Sequence, residues 1–196
     1  MAAILNDQAR ALRQGDRRKV TGRDALLLHM PKGGRGVEIG VWRGDFSLIL
    51  LNELQPEQLT LVDPWPAPDV APIVYPGEVA DQTAADDIYG FVVSRFGADP
   101  RVRILRNASL DAVSEFADQS LDWVYVDGLH FVDDVRADLK AWAPKLKPGG
   151  VLCGDDYYWR DHNGHLSVKH AVDEWIVQHN PVSWFTFRGQ FYIKPA

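Results

Sequence analysis

The sequence has few of the features that mark secreted or membrane proteins. It contains one cysteine, Cys153, so the chain cannot form an intramolecular disulfide, and the apolar neighbours of Cys153 predict a small buried packing residue. No apolar run reaches the length of a membrane span. The opening residues MAAILNDQARALRQGD also lack the apolar core and cleavage-like site of a secretory signal. We therefore expect a cytoplasmic protein without a membrane partner.

Positive charge is also scarce. The chain carries 21 Lys and Arg against 27 Asp and Glu, which gives a formal net charge of −6. This balance argues against general binding to phosphate backbones, although a local basic patch would be compatible with it, and no nucleic-acid partner is expected. The sequence shows no internal repeat and no low-complexity run. Its 196 residues and ordinary globular composition predict a single domain over residues 1–196.

Seven short apolar segments alternate with helical patterns after a predicted helical lead-in at residues 1–30. Such alternation predicts an α/β fold, with a doubly wound, mostly parallel seven-stranded sheet and helices on both faces. The last two segments flank Arg188 and Gly189, which predicts an antiparallel C-terminal hairpin. The predicted strands are VEI at 37–39, LTLVDPW at 59–65, VRILRN at 102–107, LDWVYVD at 121–127, VLCGDD at 151–156 and two within SWFTFRGQFYIKP at 183–195.

The stretch PAPDVAPIVYPGEVADQ, residues 66–82, is rich in proline and has no clear period. We interpret it as a long loop beside the site and as a candidate lid, because long loops without secondary structure are often functional.

Three aspartates stand directly after two predicted strands. One strand ends at Asp127, and the next ends at Asp155 and Asp156. Since the carboxyl ends of parallel strands meet at the sheet edge where ligands bind, the three carboxylates are expected to converge. They would repel one another unless a cation lies between them or one stays protonated, and all-oxygen ligation favours Mg²⁺, Ca²⁺ or Mn²⁺ over Zn²⁺. The alternative is that these aspartates cap helices or form turns.

A glycine turn follows the first predicted strand. In EIGVWRG, Gly40 and Gly44 allow the backbone to approach a ligand without an intervening Cβ. Asp63 ends the second strand, about twenty residues after the turn, where nucleotide-binding α/β folds place an acidic residue that binds ribose hydroxyls. The pair predicts a nucleotide-like cofactor.

His130 follows Asp127 by three residues and is expected to face the same cleft. Its unperturbed pKa of about 6.5 suits proton abstraction near neutral pH. The alternative is a histidine at a helix start that is hydrogen-bonded to the backbone.

Other clusters have plainer interpretations. His162 and His165 could bind zinc only with His170, so a substrate-binding or loop role is favoured. Four aromatic residues at two strand ends either stack on an acceptor or form a packed wall, namely Trp65, Tyr157, Tyr158 and Trp159.

The segment after His130 predicts an amphipathic helix. Its apolar side is predicted to consist of Phe131, Val135, Leu139 and Trp142. Its solvated face is predicted to carry Asp133, Asp134, Arg136, Asp138 and Lys140.

Five motifs in this order resemble those of the class I S-adenosylmethionine-dependent methyltransferases: EIGVWRG, LVDPW, RNASLD, YVDGLH and KPGGVLCGDDY. The resemblance covers nearly all of the chain after about residue 30. Within that superfamily the chain resembles the metal-dependent small-molecule O-methyltransferases, both the catechol type and those that methylate sugar hydroxyls of antibiotics such as macrocin. The resemblance implies a Rossmann-like fold, S-adenosylmethionine as cofactor, and Mg²⁺ or another hard divalent cation.

The resemblance also implies roles for single residues. It places the methionine part of the cofactor against Glu38, Gly40 and Gly44, the ribose on Asp63, and the adenine beside Ala108 and Ser109. It places the metal on Asp127, Asp155 and Asp156, with Asp127 also close to the cofactor. Since a histidine at the place of His130 is a proposed general base in the antibiotic-sugar enzymes, His130 and Asp127 are the expected catalytic residues. The third strand departs from many relatives, which have a glycine before the small residues of RNAS.

The expected function is transfer of a methyl group to a hydroxyl of a small molecule, a sugar or a phenolic metabolite, with help from Mg²⁺. Two alternatives remain, a metal-independent methyltransferase and a non-catalytic cofactor-binding or scaffold protein of the same fold. A nicotinamide-dependent dehydrogenase is disfavoured because the turn lacks G-x-G-x-x-G, and a nucleic-acid amino-methyltransferase is disfavoured because DGLHF is not an Asn/Asp-Pro-Pro-aromatic signature. Fold-level analogy also suggests a homodimer through the N-terminal helices and the proline-rich segment.

Overall fold

The computed structural model of the chain describes residues 21–65 and 81–196. Most of the predicted helical lead-in and of the predicted lid loop lies outside the described residues. The lid and the homodimer contacts assigned to these segments therefore stay predictions.

The described helices and strands follow the order that the sequence predicted. The helices are α1 (Gly22–Leu27), α2 (Asp45–Leu54), α3 (Gln82–Phe96), α4 (Ser109–Ala112), α5 (Val132–Trp142) and α6 (Ser167–His179). The strands are β1 (Arg35–Ile39), β2 (Gln58–Val62), β3 (Val102–Leu105), β4 (Leu121–Val126), β5 (Leu146–Gly154), β6 (Ser183–Phe187) and β7 (Gln190–Lys194). No helix in the described segments is both long and apolar enough to cross a membrane.

The strands form a seven-stranded sheet in the order β3-β2-β1-β4-β5-β7-β6. The five strands from β3 to β5 pair in parallel, whereas β7 pairs antiparallel with both β5 and β6. This arrangement confirms the predicted α/β fold with an antiparallel C-terminal hairpin. The chain winds outward from β1 in one direction and from β4 in the other, so a crevice opens at the carboxyl ends of these two central strands.

Alternating strand residues divide the core into two layers. On β4, Trp123 and Tyr125 face the layer that contains α1, α2 and α3, while Val124 and Val126 face the layer that contains α5 and α6. Both layers are buried, as expected for a parallel sheet covered on its two faces. Cys153 is fully buried in the first layer, which confirms its predicted packing role.

Two helices near the site begin at well-formed caps. At α1, Thr21 and Asp24 make a reciprocal capping box, in which each side chain accepts a hydrogen bond from the backbone N–H of the other. At α3, Asp81 accepts a hydrogen bond from Ala84 N at 3.0 Å. These caps fix where each helix leaves the preceding segment.

The predicted solvated face of α5 is wrong at one position. Asp138 is only 4% exposed and lies on the buried side of the helix together with Val135, Leu139 and Trp142. Its carboxylate accepts a hydrogen bond from the Ser109 hydroxyl, which in turn accepts one from Trp142 Nε1 at 2.9 Å. Asp138 lies three residues after Val135 and four before Trp142, so helical spacing places it on the apolar side, and its charge alone led to the wrong prediction.

Asp138 should make the free energy of unfolding depend on pH. Burial raises the pKa of Asp138 to about 6, against the lowering effect of the Ser109 hydrogen bond. A raised folded-state pKa favours the neutral acid, so its stabilising contribution is complete below about pH 4 and is lost as the pH rises to about 6. We expect Asp138→Asn to be more stable than wild type by roughly 1–3 kcal/mol at pH 7–8, with the difference shrinking towards pH 4.

Urea unfolding between pH 4.5 and pH 8 measures this difference. Asp87→Asn is the matched control, because Asp87 is an exposed aspartate on α3. A stability difference that stays constant across the pH range would contradict the assignment of a raised pKa to Asp138.

Candidate active site

The site lies where β1, β4 and β5 end side by side. Ile39, Val126 and Gly154 are in register as the last residues of these strands, so the chain positions that follow them are neighbours in space. Asp127 N donates to Ile39 O at 2.8 Å, and Asp155 N donates to Val126 O at 3.2 Å. The parallel ladder therefore holds both aspartates at the carboxyl edge of the sheet.

Asp127, His130 and Asp156 bring their side chains together. One ligand-capable atom from each of the three lies within 4.8 Å of the others. His130 Nε2 is 2.9 Å from Asp156 Oδ2 and 3.6 Å from Asp127 Oδ1. Asp156 adopts the left-handed conformation with φ of 59°, which aspartate tolerates better than most residues. Within residues 21–65 and 81–196 this is the group of three or more histidine and acidic side chains with the geometry to hold a cation.

His130 Nε2 is a buried polar atom without a well-formed hydrogen bond. It is shielded from solvent, and despite its short distance to Asp156 it has no hydrogen-bond partner of good geometry among the described residues. Buried polar nitrogens are normally paired, so an atom in this state points to a ligand or to a proton that is exchanged there. The Trp159 ring lies against His130 with the ring centroids 5.3 Å apart.

The charges of this cluster are strongly coupled. Burial lowers the pKa of His130, but the carboxylates of Asp127 and Asp156 have the larger combined effect and raise this pKa to about 9. Burial raises the pKa of Asp127 to about 6, against the opposing effects of His130 and Arg23. An imidazole with a pKa near 9 carries a proton at neutral pH. It can therefore act as a base only when another cation offsets the two carboxylates.

The third aspartate has different partners. Asp155 Oδ2 accepts a hydrogen bond from Arg23 Nε at 2.7 Å, and Asp155 Oδ1 accepts hydrogen bonds from Gln190 Nε2 and from the backbone of Asp156. Of the three predicted metal ligands, the structure therefore brings Asp127 and Asp156 together with His130. It turns Asp155 towards Arg23 and Gln190.

Arg23 is a functional candidate that the sequence analysis missed. Its Nη2 donates to Asp127 Oδ2 at 2.6 Å, and its guanidinium lies over the Phe46 ring, 4.6 Å from the centroid. Arg23 comes from α1, more than 100 residues away from Asp127 in the sequence. The three clustered carboxylates indicated that a positive charge must lie close to them. Nothing in the sequence showed that this charge would come from Arg23.

A separate pocket of about 360 Å³ opens beside the cluster. Four of the predicted cofactor residues line it: Gly40, Asp63, Ala108 and Ser109. The other three, Glu38, Gly44 and Asp127, are not among its lining residues. Further lining residues from β1, β2, α4, the β4–α5 connection and α5 are Ile39, Val62, Pro64, Leu110, Asp111, Gly128, Leu129, Asp134, Ala137 and Asp138.

Gly40 is required by the close approach of two strand ends. It adopts φ of 82°, and a Cβ at this position would lie 2.0 Å from the carbonyl oxygen of Asp127. A larger residue would therefore push β1 away from β4 at the point where the pocket and the cluster meet. Gly40 is thus needed for the packing of the two strand ends, and the absence of its side chain also leaves the pocket wall open.

Asp63 anchors the turn after β1. It is 3% exposed, and its carboxylate accepts hydrogen bonds from Val41 N and Trp42 N, both at 2.9 Å, and from Trp65 N at 2.7 Å. Burial raises the pKa of Asp63 despite these three hydrogen bonds. Because a carboxylate has about four acceptor sites, roughly one remains for a ligand hydroxyl in the pocket.

Glu38 lies deeper than the predicted methionine contact implied. It is 1% exposed, and Ser47 of α2 donates a short hydrogen bond to it. Burial raises the pKa of Glu38 to about 8, against the lowering effect of that hydrogen bond. Glu38 thus connects β1 to the start of α2.

The aromatic residues divide between wall and surface. Trp65 and Tyr157 are buried, and Trp65 donates its indole N–H to Trp42 O at 2.9 Å. Tyr158 is 54% exposed and Trp159 is 39% exposed. Only the latter pair remains available to an acceptor.

A family model described as a methyltransferase domain matches residues 37–157. Among curated proteins, an uncharacterized protein of Sinorhizobium fredii, y4gI, is 42% identical over 60 residues. That match covers 31% of this chain, and the chain spans only 7% of the length of this curated relative.

Solved structures with the same fold are more distant in sequence. A protein from Corynebacterium glutamicum superposes with a TM-score of 0.60 at 21% identity, covering 100% of this chain and 90% of that one. The O-methyltransferase NovP gives a TM-score of 0.59 at 21% identity, covering 88% of this chain and 75% of NovP. The methyltransferase MycE in complex with Mg, SAH and mycinamycin VI gives 0.53 at 14% identity, covering 83% of this chain and 44% of MycE.

The matched region runs from within β1 through the strand-end aspartates, so it contains the pocket and the carboxylate cluster. The superpositions show that the chain shares its overall fold with these solved structures. The chain belongs to the methyltransferase domain family and has the fold of the class I S-adenosylmethionine-dependent methyltransferases.

Proposed function

We propose that the protein transfers the methyl group of S-adenosylmethionine to a hydroxyl of a small molecule, with a divalent cation at Asp127, His130 and Asp156. One observation carries the proposal. Asp127 and His130 belong to the carboxylate and imidazole cluster, while Gly128 and Leu129 between them line the pocket. Four consecutive residues thus connect a cofactor pocket to a group that can hold or deprotonate an acceptor.

The pocket has the chemistry to hold S-adenosylmethionine, which supplies an activated methyl group when bound. Asp63 offers its remaining acceptor site to ribose hydroxyls, and Ala108 and Ser109 border a mostly apolar wall for the adenine. Buried Glu38 acts through the position of α2, since Ser47 donates to it.

The donor set of the cluster fits a divalent cation, which would lower the pKa of a bound hydroxyl and fix its oxygen. Asp127 and Asp156 would provide carboxylate oxygens, and Nε2 of His130 would provide a nitrogen once the cation has displaced its proton. Mg²⁺ prefers oxygen ligands throughout, whereas Mn²⁺, a transition-metal ion that also suits carboxylate oxygens, tolerates one imidazole nitrogen better. The proposal therefore replaces Asp155 in the predicted ligand set with His130, and among the predicted hard divalent cations it favours Mn²⁺ over Mg²⁺.

The protein groups around the cluster would orient the acceptor. Trp159 presents exposed ring surface against His130, and the neighbouring Tyr158 is also exposed, which suits stacking on a sugar or an aromatic ring. Alignment of the acceptor oxygen with the methyl donor is chiefly positional catalysis, and no covalent intermediate with the protein is needed. The acceptor partner proposed here is a small molecule, since the net negative charge of the chain disfavours nucleic acid.

A metal-independent methyltransferase is the second candidate, and Arg23 is the observation that favours it. The guanidinium already contacts Asp127 and Asp155, so part of the negative charge is offset without a metal. In this version His130 takes the proton of the acceptor hydroxyl through Nε2, and the sulfonium charge of the bound cofactor supplies the further cation that a neutral imidazole requires. The two roles of His130 exclude each other because both use the same nitrogen atom.

Filling the pocket should block the cofactor without unfolding the protein. A Cβ on Gly128 would meet Ile39 Cγ2 at 3.5 Å and Asp138 Oδ2 at 3.8 Å, which are ordinary contacts with two pocket residues. We therefore expect Gly128→Ala to retain most of the affinity for S-adenosylhomocysteine, while Gly128→Leu loses on the order of tenfold or more by occupying the space of the ligand.

Isothermal titration calorimetry with S-adenosylhomocysteine measures both affinities. Gly90→Ala, at a position on α3 with open space around the added Cβ, controls for a general effect of glycine replacement. Equal affinities of Gly128→Leu and wild type would show that the cofactor binds elsewhere.

Removing the imidazole should separate the two candidate functions. If the cation uses Nε2, we expect His130→Asn to weaken Mn²⁺ binding by on the order of tenfold while S-adenosylhomocysteine affinity changes little, because His130 does not line the pocket. Mn²⁺ binding is followed by electron paramagnetic resonance of the free ion. His170→Asn is the control, since His170 lies on α6 beside Glu174 and away from the cluster.

Wild type that binds S-adenosylhomocysteine but no Mn²⁺ would support the metal-independent candidate. Strong Mn²⁺ binding that survives in His130→Asn would remove His130 from the ligand set.

A further inference from the structure

Arg23 lies in a part of the site to which the proposed metal-assisted reaction assigns no role. Its Nη2 lies 2.6 Å from Asp127 Oδ2, and its Nε lies 2.7 Å from Asp155 Oδ2. One side chain thus bridges two of the three strand-end carboxylates.

We propose that Arg23 is a permanent counter-cation of the active site, which withholds Asp155 and one oxygen of Asp127 from an incoming divalent cation and so lowers the affinity for that cation. The inference deepens the proposed function, and it rests on the placement of the cation at Asp127, His130 and Asp156. In this proposal Arg23 is a positioning residue, because its contacts determine which carboxylate oxygens remain available to the metal.

The guanidinium is well suited to a permanent position. It keeps its charge at all relevant pH values, and its planar fork lets two nitrogens donate to two different carboxylates. The Phe46 ring supports it from one side, with the guanidinium 4.6 Å from the ring centroid. The capping box of Thr21 and Asp24 fixes the start of α1 directly beside Arg23.

Asp155 has no free direction towards the cation. Arg23 places both Nε and Nη2 2.7 Å from Asp155 Oδ2, while Gln190 Nε2 and the backbone N–H of Asp156 donate to Oδ1, so all of the roughly four acceptor sites of the carboxylate are contacted. Gln190 is itself held by the Tyr125 hydroxyl at 2.9 Å and is 2% exposed. Asp155 is therefore locked into a protein network, which makes it a poor candidate for metal ligation while Arg23 is present.

Asp127 is divided between the two cations. Its Oδ2 contacts Arg23, and its Oδ1 faces His130 at 3.6 Å. A divalent ion can approach only the Oδ1 side, and there it would also meet the repulsion of the nearby guanidinium charge. Removal of Arg23 would lift this repulsion and would release Asp127 Oδ2 and Asp155 Oδ2 as further oxygen ligands.

The test is a titration of Mn²⁺ into wild type and Arg23→Gln, followed by electron paramagnetic resonance. We expect Arg23→Gln to bind Mn²⁺ at least about tenfold more tightly, because one opposing charge is lost and two carboxylate oxygens are gained. Arg136→Gln is the matched control, since Arg136 also bridges two carboxylates, Asp133 and Glu174, but on α5 and α6 outside the cluster. An unchanged or weaker affinity in Arg23→Gln would overturn the proposal.

The variant Asp155→Asn tests independently whether Asp155 ligates the cation, even if Arg23→Gln fails to fold. With Arg23 in place we expect Asp155→Asn to change the Mn²⁺ affinity less than about threefold, because Asp155 is not a ligand. A loss of tenfold or more would show that Asp155 ligates the cation and would overturn the proposal. In Arg23→Gln the same substitution should remove most of the gained affinity, and circular dichroism reports whether each variant is folded.

S-adenosylhomocysteine titrations on the same variants separate this inference from the proposed function. Wild type without measurable Mn²⁺ binding, together with an Arg23→Gln variant that binds it, supports the role of Arg23 and argues against metal assistance in the natural protein. Absence of Mn²⁺ binding in both proteins overturns the role of Arg23. Failure of wild type to bind S-adenosylhomocysteine would count against the cofactor assignment alone.

Discussion

The structure depends on one electrostatic constraint, the crowding of carboxylates at the carboxyl edge of a parallel sheet. The register of β4 with β1 and β5 places Asp127 next to Asp155 and Asp156, and backbone pairing alone is sufficient for this placement. Negative charges at this density require compensation. The protein supplies it with Arg23 on one side and His130 on the other, so the cluster is divided into an occupied half and a half that is open to chemistry.

The same edge also holds the pocket proposed for the cofactor, and the backbone connects the pocket to the carboxylate cluster. Gly40 fits against the Asp127 backbone, and Asp63 holds the turn that follows Gly40 through the N–H groups of Val41 and Trp42. These acids and glycines keep β1 and β4 close while leaving a crevice between them. Gly40 and Asp63, which the motifs assign to ligand binding, therefore also hold the backbone together at the strand ends. Under the proposed function, the methyl donor and the acceptor would meet there, because the chain from Asp127 to His130 contributes to both the pocket and the cluster.

The fold was predictable from local patterns, and the site only in part. Alternating apolar strands and helical segments defined the sheet, and aspartates at strand ends marked its functional edge, because both signals are local in sequence. Arg23 was not predictable, since its contacts with Asp127 and Asp155 arise from the packing of α1 against the edge of the sheet. Asp138 was assigned to solvent because of its charge, although helical spacing places it beside Val135 and Trp142; the hydroxyl of Ser109 that accommodates its buried carboxylate was not evident from the sequence. The choice of ligands among three aspartates likewise depends on side-chain orientation, which strand order alone does not determine.

A crystal structure of the protein with S-adenosylhomocysteine and Mn²⁺, with anomalous scattering used to locate the metal, tests the central claim most directly. We expect the nucleoside in the pocket beside Asp63 and Ser109, and the anomalous peak within bonding distance of Asp127, His130 and Asp156, with Arg23 still on Asp155. S-adenosylhomocysteine bound outside this pocket, or a metal peak distant from Asp127 and Asp156, would contradict the account.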